Sequence, residues 1–184
     1  GMTLRVALGR KPNFSDGSTK QLIIDSPIIQ PQQLLQIQDL KEVKVHTIAA
    51  LYNVDSTDLE NNKKLLAEAI ENICNEVEVK VKKGFGIIVL SDVKITKKKA
   101  AIPIILLTSA VNQRLIKSGT RFLTSVVVET GQAVSTHDTA CILGFGASAV
   151  CPVTVFSRVL EKANDSDEVL VKLSNYQKAI NKAL

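Results

Sequence analysis

The 184-residue chain is 45% hydrophobic and 22% charged, with a formal net charge of +5. That is the composition of one globular domain with a substantial core, and its apolar runs, such as Ile102 to Leu107, fall far short of the roughly 20 residues a membrane helix needs. With no Trp and only 4% aromatic residues, the core must be aliphatic, built on Ile, Val, Leu and Ala.

Leu4 to Pro31 lacks a clean period. Pro12, Asn13, Ser15, Asp16, Gly17 and Ser18 are loop formers and Ser26-Pro27 sets a turn, so this stretch is expected as an arm or linker. Gln30 to Leu40 is predicted to hold a short helix, with Leu34, Leu35 and Ile37 apolar. Arm and helix make up residues 1–42, ahead of an α/β domain over 43–184, one globular domain overall.

Val43 to Tyr52 starts alternating and becomes apolar, as a strand entering a core does. Thr57-Asp58-Leu59-Glu60 reads as a capping box, and the helix it opens has a buried stripe of Leu66, Ile70, Ile73, Val77 and Val81. Lys82, Lys83 and Gly84 close that helix. Gly86 to Leu90 is a second strand, apolar on both faces, as a strand covered by helices must be.

Pro103 suits a first helical turn, predicting a helix to about Lys117 that stops at Ser118-Gly119. Phe122 to Val128 is the third strand, ending at Glu129. Thr130-Gly131 is expected to start a helix to about Leu143, capped by Gly144. Ala147 to Val153 is a short fourth strand, followed by a helix from about Thr154 to Lys162, a turn at Asp165-Ser166-Asp167, and a final helix striped by Val169, Leu173, Tyr176 and Ile180. Four strand–helix units in a row demand a parallel sheet. The expected fold class is therefore α/β, half of a β/α-barrel-like fold, with a small doubly wound sheet as the alternative.

The three Cys are widely spaced, lie among apolar residues and have no Cys-x-x-Cys spacing, so they read as reduced core residues of an intracellular protein and not as metal ligands. Gly1 ahead of Met2 reads as a tag remnant, and no signal peptide or membrane span is expected, giving a cytoplasmic localisation. Much of the positive charge sits in Lys80, Lys82, Lys83 and the Lys94 to Lys99 stretch. That run has no aromatic neighbour, which argues against nucleic-acid binding and for a solvated loop or docking edge.

In parallel α/β folds ligands meet the carboxyl ends of the strands. Those ends nominate Asp92 and Glu129 as a facing acidic pair, with Arg121 and His137 as further polar candidates. Two carboxylates can share acid–base work if their surroundings separate their pKa values. The simpler expectation is that these acids cap a helix or pair with Arg121 or a Lys. His137, between Val134 and Cys141, is either a base held by Glu129 or a hydrogen-bonded core residue, and His46, inside a strand, is read as a hydrogen-bonded core residue. Gly144-Phe145-Gly146-Ala147 follows a helix and precedes a strand, the wrong order for a phosphate cradle. No catalytic, cofactor-binding or metal residue is assigned.

The motifs resemble a known family. Gly84-Phe-Gly-Ile-Ile-Val-Leu-Ser-Asp92, Ala101-Ile102-Pro103, Leu115-Ile116 with Gly119-Thr-Arg121, Val127-Val-Glu129-Thr-Gly131, and His137, Ala140, Leu143-Gly-Phe-Gly-Ala147 and Ala149-Val150-Cys-Pro152 occur in the order seen in the central domain of the glutamate synthase large subunit. Leu8-Gly9, Ser26-Pro27-Ile28-Ile29 and Asn175-Tyr176 fit its two ends. The resemblance runs from about Leu8 to the C-terminus. It departs at Val93, where the family has Arg, at Asn112-Gln113, where it has His, and at Val153, where it has Tyr.

The resemblance implies a non-catalytic connecting domain. Its partners are an amidotransferase domain that releases ammonia from glutamine and an FMN domain that makes glutamate from 2-oxoglutarate. FMN and an iron–sulfur cluster belong to the parent enzyme, an oxidoreductase of nitrogen assimilation, and none of their ligands falls in this chain. The alternatives are an independent small-molecule-binding α/β domain or divergent stand-alone paralogue using the strand-end polar residues, and a basic-surface binder of nucleic acid.

Overall fold

A computed structural model describes residues 4–12, 20–55, 58–163 and 165–184. Its centre is a four-stranded parallel sheet in the order β3-β5-β7-β8, formed by Val45–Ala49, Ile87–Ser91, Ser125–Thr130 and Ala149–Pro152. The strands are in sequence order, with Ile88 opposite His46 and Val126, and Val128 opposite Val150. The α/β class and the parallel sheet expected from the strand–helix alternation are what the chain forms.

The helices α2 (Leu59–Lys82), α3 (Ile104–Lys117) and α4 (Thr136–Gly144) connect successive strands. All three pack on one face of the sheet, where Ile73, Val77, Leu107, Val111, Leu115 and Ile142 meet Ile48, Ile88, Leu90, Val126, Val128 and Val150. Parallel crossovers on a single face are the winding of half a β/α barrel, whereas a doubly wound sheet would split them between faces.

The opposite face, which in a barrel would look into the interior, is filled by α1 (Pro31–Gln38), α5 (Val153–Glu161) and α6 (Ser166–Ala183). Leu34, Ile37, Phe156, Leu173 and Ile180 cover Ile87, Val89, Val127, Ala149 and Cys151 there. The alternation of β5 is thus read twice, Ile87 and Val89 into one core and Ile88 and Leu90 into the other. Each such side chain contributes about 1.5–3 kcal/mol on burial.

The N-terminal stretch expected as an arm is structured. β1 (Val6–Leu8) and β2 (Leu22–Ile24) pair antiparallel. Beyond them Ile28 bridges Val150, with Ile29 N–H donating to Val150 O and Val150 N–H to Pro27 O. Leu8, Ile28 and Ile29 are buried in the second core. The segment therefore caps the outer edge of β8, an edge that open sheets must protect. At the other end, β4 (Leu51–Asn53) pairs with β6 (Lys99–Ala101) in a short antiparallel ribbon.

Some boundaries differ from the sequence reading. The N-cap of α2 is Asp58, whose carboxylate accepts from Asn61 N–H, while the expected cap Thr57 lies outside the described residues. Phe122 belongs to a 3-10 turn, and β7 begins at Ser125. Helix α4 begins at Thr136 rather than at Thr130-Gly131, because Ser135 and Asp138 form a reciprocal capping box. Its last residue is Gly144, and the glycine with left-handed geometry is Gly146, at φ 120°.

Candidate functional site at the strand ends

Asp92 follows β5 and is 2% exposed. Its Oδ2 accepts from Thr130 Oγ1 at 2.5 Å and Gln132 Nε2 at 2.8 Å, and its Oδ1 accepts from Gly131 N–H at 2.8 Å. Among the described residues no cation pairs with it. A buried carboxylate without a counter-charge persists only where neutral donors satisfy it, and here they do.

Gln132 extends the network. Its Nε2 also reaches Ile102 O at 3.0 Å, and its Oε1 accepts from Ile104 N–H at 3.0 Å. That N–H is an otherwise free donor of the first turn of α3, which has no side-chain cap. Thr154 Oγ1, on α5, donates to Gly131 O at 2.9 Å. A Cβ on Gly131 would come within 3.1 Å of that hydroxyl, a tight contact that Thr154 would have to yield to by a few tenths of an ångström. Asp92, Gly131, Gln132 and Thr154 thus knot together the ends of β5 and β7 and the starts of α3 and α5.

Glu129 is handled separately. It sits opposite Ser91 and Cys151 in the sheet and accepts from Ser91 Oγ at 2.5 Å. Burial, and then the charge of Glu129, push the neighbouring Cys151 thiol up to about 12, so it is neutral at ordinary pH. The two acids share the strand ends but bond to different partners, with no donor common to both.

Arg121 does not join them. It precedes β7, at the amino end of the sheet, where Nε donates to Asn112 Oδ1 at 2.6 Å, Nη1 to Thr124 O at 3.0 Å and Nη2 to Gly146 O at 2.9 Å. Burial lowers its pKa. The expected pairing of the strand-end acids with Arg121 is therefore absent, since the two lie at opposite ends of β7. Asn112 Oδ1 is the one side-chain acceptor among the three groups that hold this guanidinium.

His137 is exposed on α4, its Nε2 3.5 Å from Cys141 Sγ. It is neither a core residue nor bonded to Glu129, because α4 starts later than expected and Val134, placed with it on an apolar face, is itself exposed. His46 pairs with Glu76 at 2.7 Å and stacks edge-on to Phe85. The residues that sequence reasoning did not nominate are Thr130, Gln132 and Thr154, whose only signal was their place at or just after strand ends.

A cavity of about 250 Å³ opens beside β3 and β4, lined by Tyr52, Asn53, Glu68, Asn72 and Lys99 among others. None of the four polar candidates lines it. No described helix is long and apolar enough to cross a membrane.

Comparison with known proteins places the chain. The family described as Glutamate synthase central domain matches residues 1–184. The chain belongs to that family. It is 35% identical over 162 residues to the ferredoxin-dependent glutamate synthase of Cyanidium caldarium, covering 86% of this chain and 10% of that protein. Against the chloroplastic ferredoxin-dependent glutamate synthase of Oryza sativa subsp. japonica it is 31% identical, covering 82% of this chain and 9% of that one. The glutamate synthase [NADPH] large chain of Azospirillum brasilense is 30% identical over 190 residues, covering 100% of this chain and 12% of that protein. The chain thus spans about a tenth of the length of the curated relatives it matches.

The donor set of the described residues does not suit an iron–sulfur cluster. Cys74 and Cys151 are buried in cores on opposite faces of the sheet and cannot converge on one iron–sulfur cluster. Among the described residues no group of three or more His, Cys, Asp or Glu could hold a metal ion.

Proposed function

We propose that the chain is a non-catalytic connecting domain, linking the glutamine amidotransferase and FMN synthase modules of a glutamate synthase in glutamate biosynthesis. FMN and the iron–sulfur cluster lie elsewhere in the parent enzyme, in the cytoplasm, and this segment supplies rigid architecture between them. The observation that carries the reading is the closed Asp92 network. At the strand ends, where an α/β enzyme would present reactive groups, the polar atoms of Asp92, Gly131 and Gln132 are spent on one another and on α3. A site that binds substrate keeps donors or acceptors free for it.

The reading is tested by co-expressing the chain with the amidotransferase and FMN modules of its parent enzyme and analysing the product by pull-down and gel filtration. The chain is expected to travel with them. A monomer that binds neither module overturns the proposal. A thermal-shift screen with 2-oxoglutarate, glutamine, glutamate and FMN is expected to leave the isolated melting temperature unchanged, and a shift abolished by Asp92→Ala or Glu129→Ala would instead assign the strand ends to ligand binding.

A further inference from the structure

The most basic feature of the surface follows Asp92 directly. Residues 93–99 run Val-Lys-Ile-Thr-Lys-Lys-Lys, with Lys94, Lys97, Lys98 and Lys99 and no acid among them. All seven residues are exposed, including Val93 at 45% and Ile95 at 59%. Among the described residues none of the four ammonium groups has a carboxylate within ion-pair distance.

This stretch is held in shape. Thr96 N–H donates to Lys99 O at 3.0 Å and Lys99 N–H to Thr96 O at 3.2 Å, closing a tight turn with Lys97 and Lys98 at its tip. Thr96 Oγ1 accepts from Lys98 N–H at 3.3 Å, and Val54 N–H ties Lys98 O to the end of β4. One side of the turn continues into β6, the other into the anchored Asp92. A tethered backbone keeps like charges close together, which costs electrostatic free energy unless an opposite charge arrives.

We propose that the 93–99 turn is a docking prong for an acidic protein surface that offers an apolar seat to Ile95 and Val93. Charge complementarity selects the acidic partner. The two exposed aliphatic side chains select protein over nucleic acid, because the turn lacks the Arg and aromatic groups that read bases or stack on them. The proposal rests on the connecting-domain reading, in which other modules of the parent enzyme lie against this chain.

The test uses the purified full chain with two acidic polymers, poly-L-glutamate and a random glutamate–tyrosine copolymer, and a short DNA duplex, all at low salt. Wild type is expected to bind both acidic polymers, the copolymer more tightly. The triple variant Lys94→Gln, Lys97→Gln, Lys98→Gln should lose about tenfold or more in affinity for both, from three ion pairs of modest strength. Ile95→Ser should weaken copolymer binding about threefold and leave poly-L-glutamate unchanged.

A charge-preserving variant with Arg at the same three positions controls for folding and should bind as wild type does. The proposal is overturned if wild type binds neither polymer, if the glutamine variant binds as wild type does, or if the duplex binds more tightly than the copolymer. Failure here leaves the connecting role standing, since that role fails separately, when the synthase modules do not co-purify with the chain.

Discussion

The side-chain amide of Gln132 joins Asp92 to the first turn of α3, its Nε2 2.8 Å from the Asp92 carboxylate while its Oε1 accepts from Ile104 N–H. Because both ends of the amide are committed, it cannot flip to suit a changed partner. In Asp92→Asn, the new NH2 must face either Gly131 N–H or the Gln132 Nε2, donor against donor. The substitution is expected to cost about 2–3 kcal/mol and Asp92→Ala at least as much, because buried donors lose their acceptor. The melting temperature should fall by about 4–12 °C for a chain of this size. Asp92→Asn melting with wild type would show that the network is not what holds the strand ends.

Gly146 and Gly119 separate steric crowding from backbone conformation. Both have positive φ, at 120° and 69°. A Cβ on Gly119 would meet nothing within 4 Å, whereas one on Gly146 would lie 2.7 Å from Asn112 Cβ and Oδ1. Gly119→Ala should therefore cost about 1 kcal/mol, the price of left-handed backbone alone. Gly146→Ala should cost about 3 kcal/mol or more, since it also displaces the Asn112 and Gly146 acceptors of Arg121. Equal losses in denaturant unfolding would contradict this account.

The parallel sheet was legible because its signal is local and repeated. Ile87 to Leu90 is apolar on both faces, which fits only a strand covered twice. Topology also led to Asp92 and Glu129. What could not be read was which groups they meet, since Thr130, Gly131 and Gln132 lie 38 to 40 residues beyond Asp92. The start of α4 was misjudged because Thr130-Gly131 has the look of a helix opening, while the box that opens the helix, Ser135 with Asp138, uses the shorter acid. The ribbon of β1 and β2 escaped because strands of three residues are too short to show a period. Filling of the second sheet face by α5 and α6 is a tertiary outcome that no strand–helix count contains.

The thiols give a pH-dependent readout. Cys151 is buried and its thiol is pushed up to about 12 from an ordinary value of 9.0, and burial also raises Cys74. Cys141 is partly exposed. A thiol reagent at mild alkaline pH should modify Cys141 first and reach Cys74 and Cys151 only on unfolding. The folded pKa of Cys151 exceeds its unfolded value, so the unfolded chain releases its proton first. Stability from this group is full below pH 9 and is lost as pH rises from about 9 towards about 12. Cys151→Ala should flatten part of that alkaline decline, while lowering stability at neutral pH through the cavity it leaves. An unchanged slope above pH 9 would mean that Cys151 is not the group responsible.

Arg121 and Asn112 should act as a unit. The guanidinium donates to Asn112 Oδ1, Thr124 O and Gly146 O, three acceptors in three directions. Only a planar fork reaches all of them, so Arg121→Lys, which keeps the charge, should still cost about 1–3 kcal/mol. Arg121→Met keeps the packing of the stem and loses every bond, and should cost more. Asn112→Ala removes one acceptor and leaves two carbonyls in place. In a double-mutant cycle between Arg121→Met and Asn112→Ala the coupling should be about 0.5–3 kcal/mol, the range for residues in one network. Thermal or denaturant unfolding of the four proteins measures it. Additive losses would mean that the carbonyls of Thr124 and Gly146 alone hold the arginine.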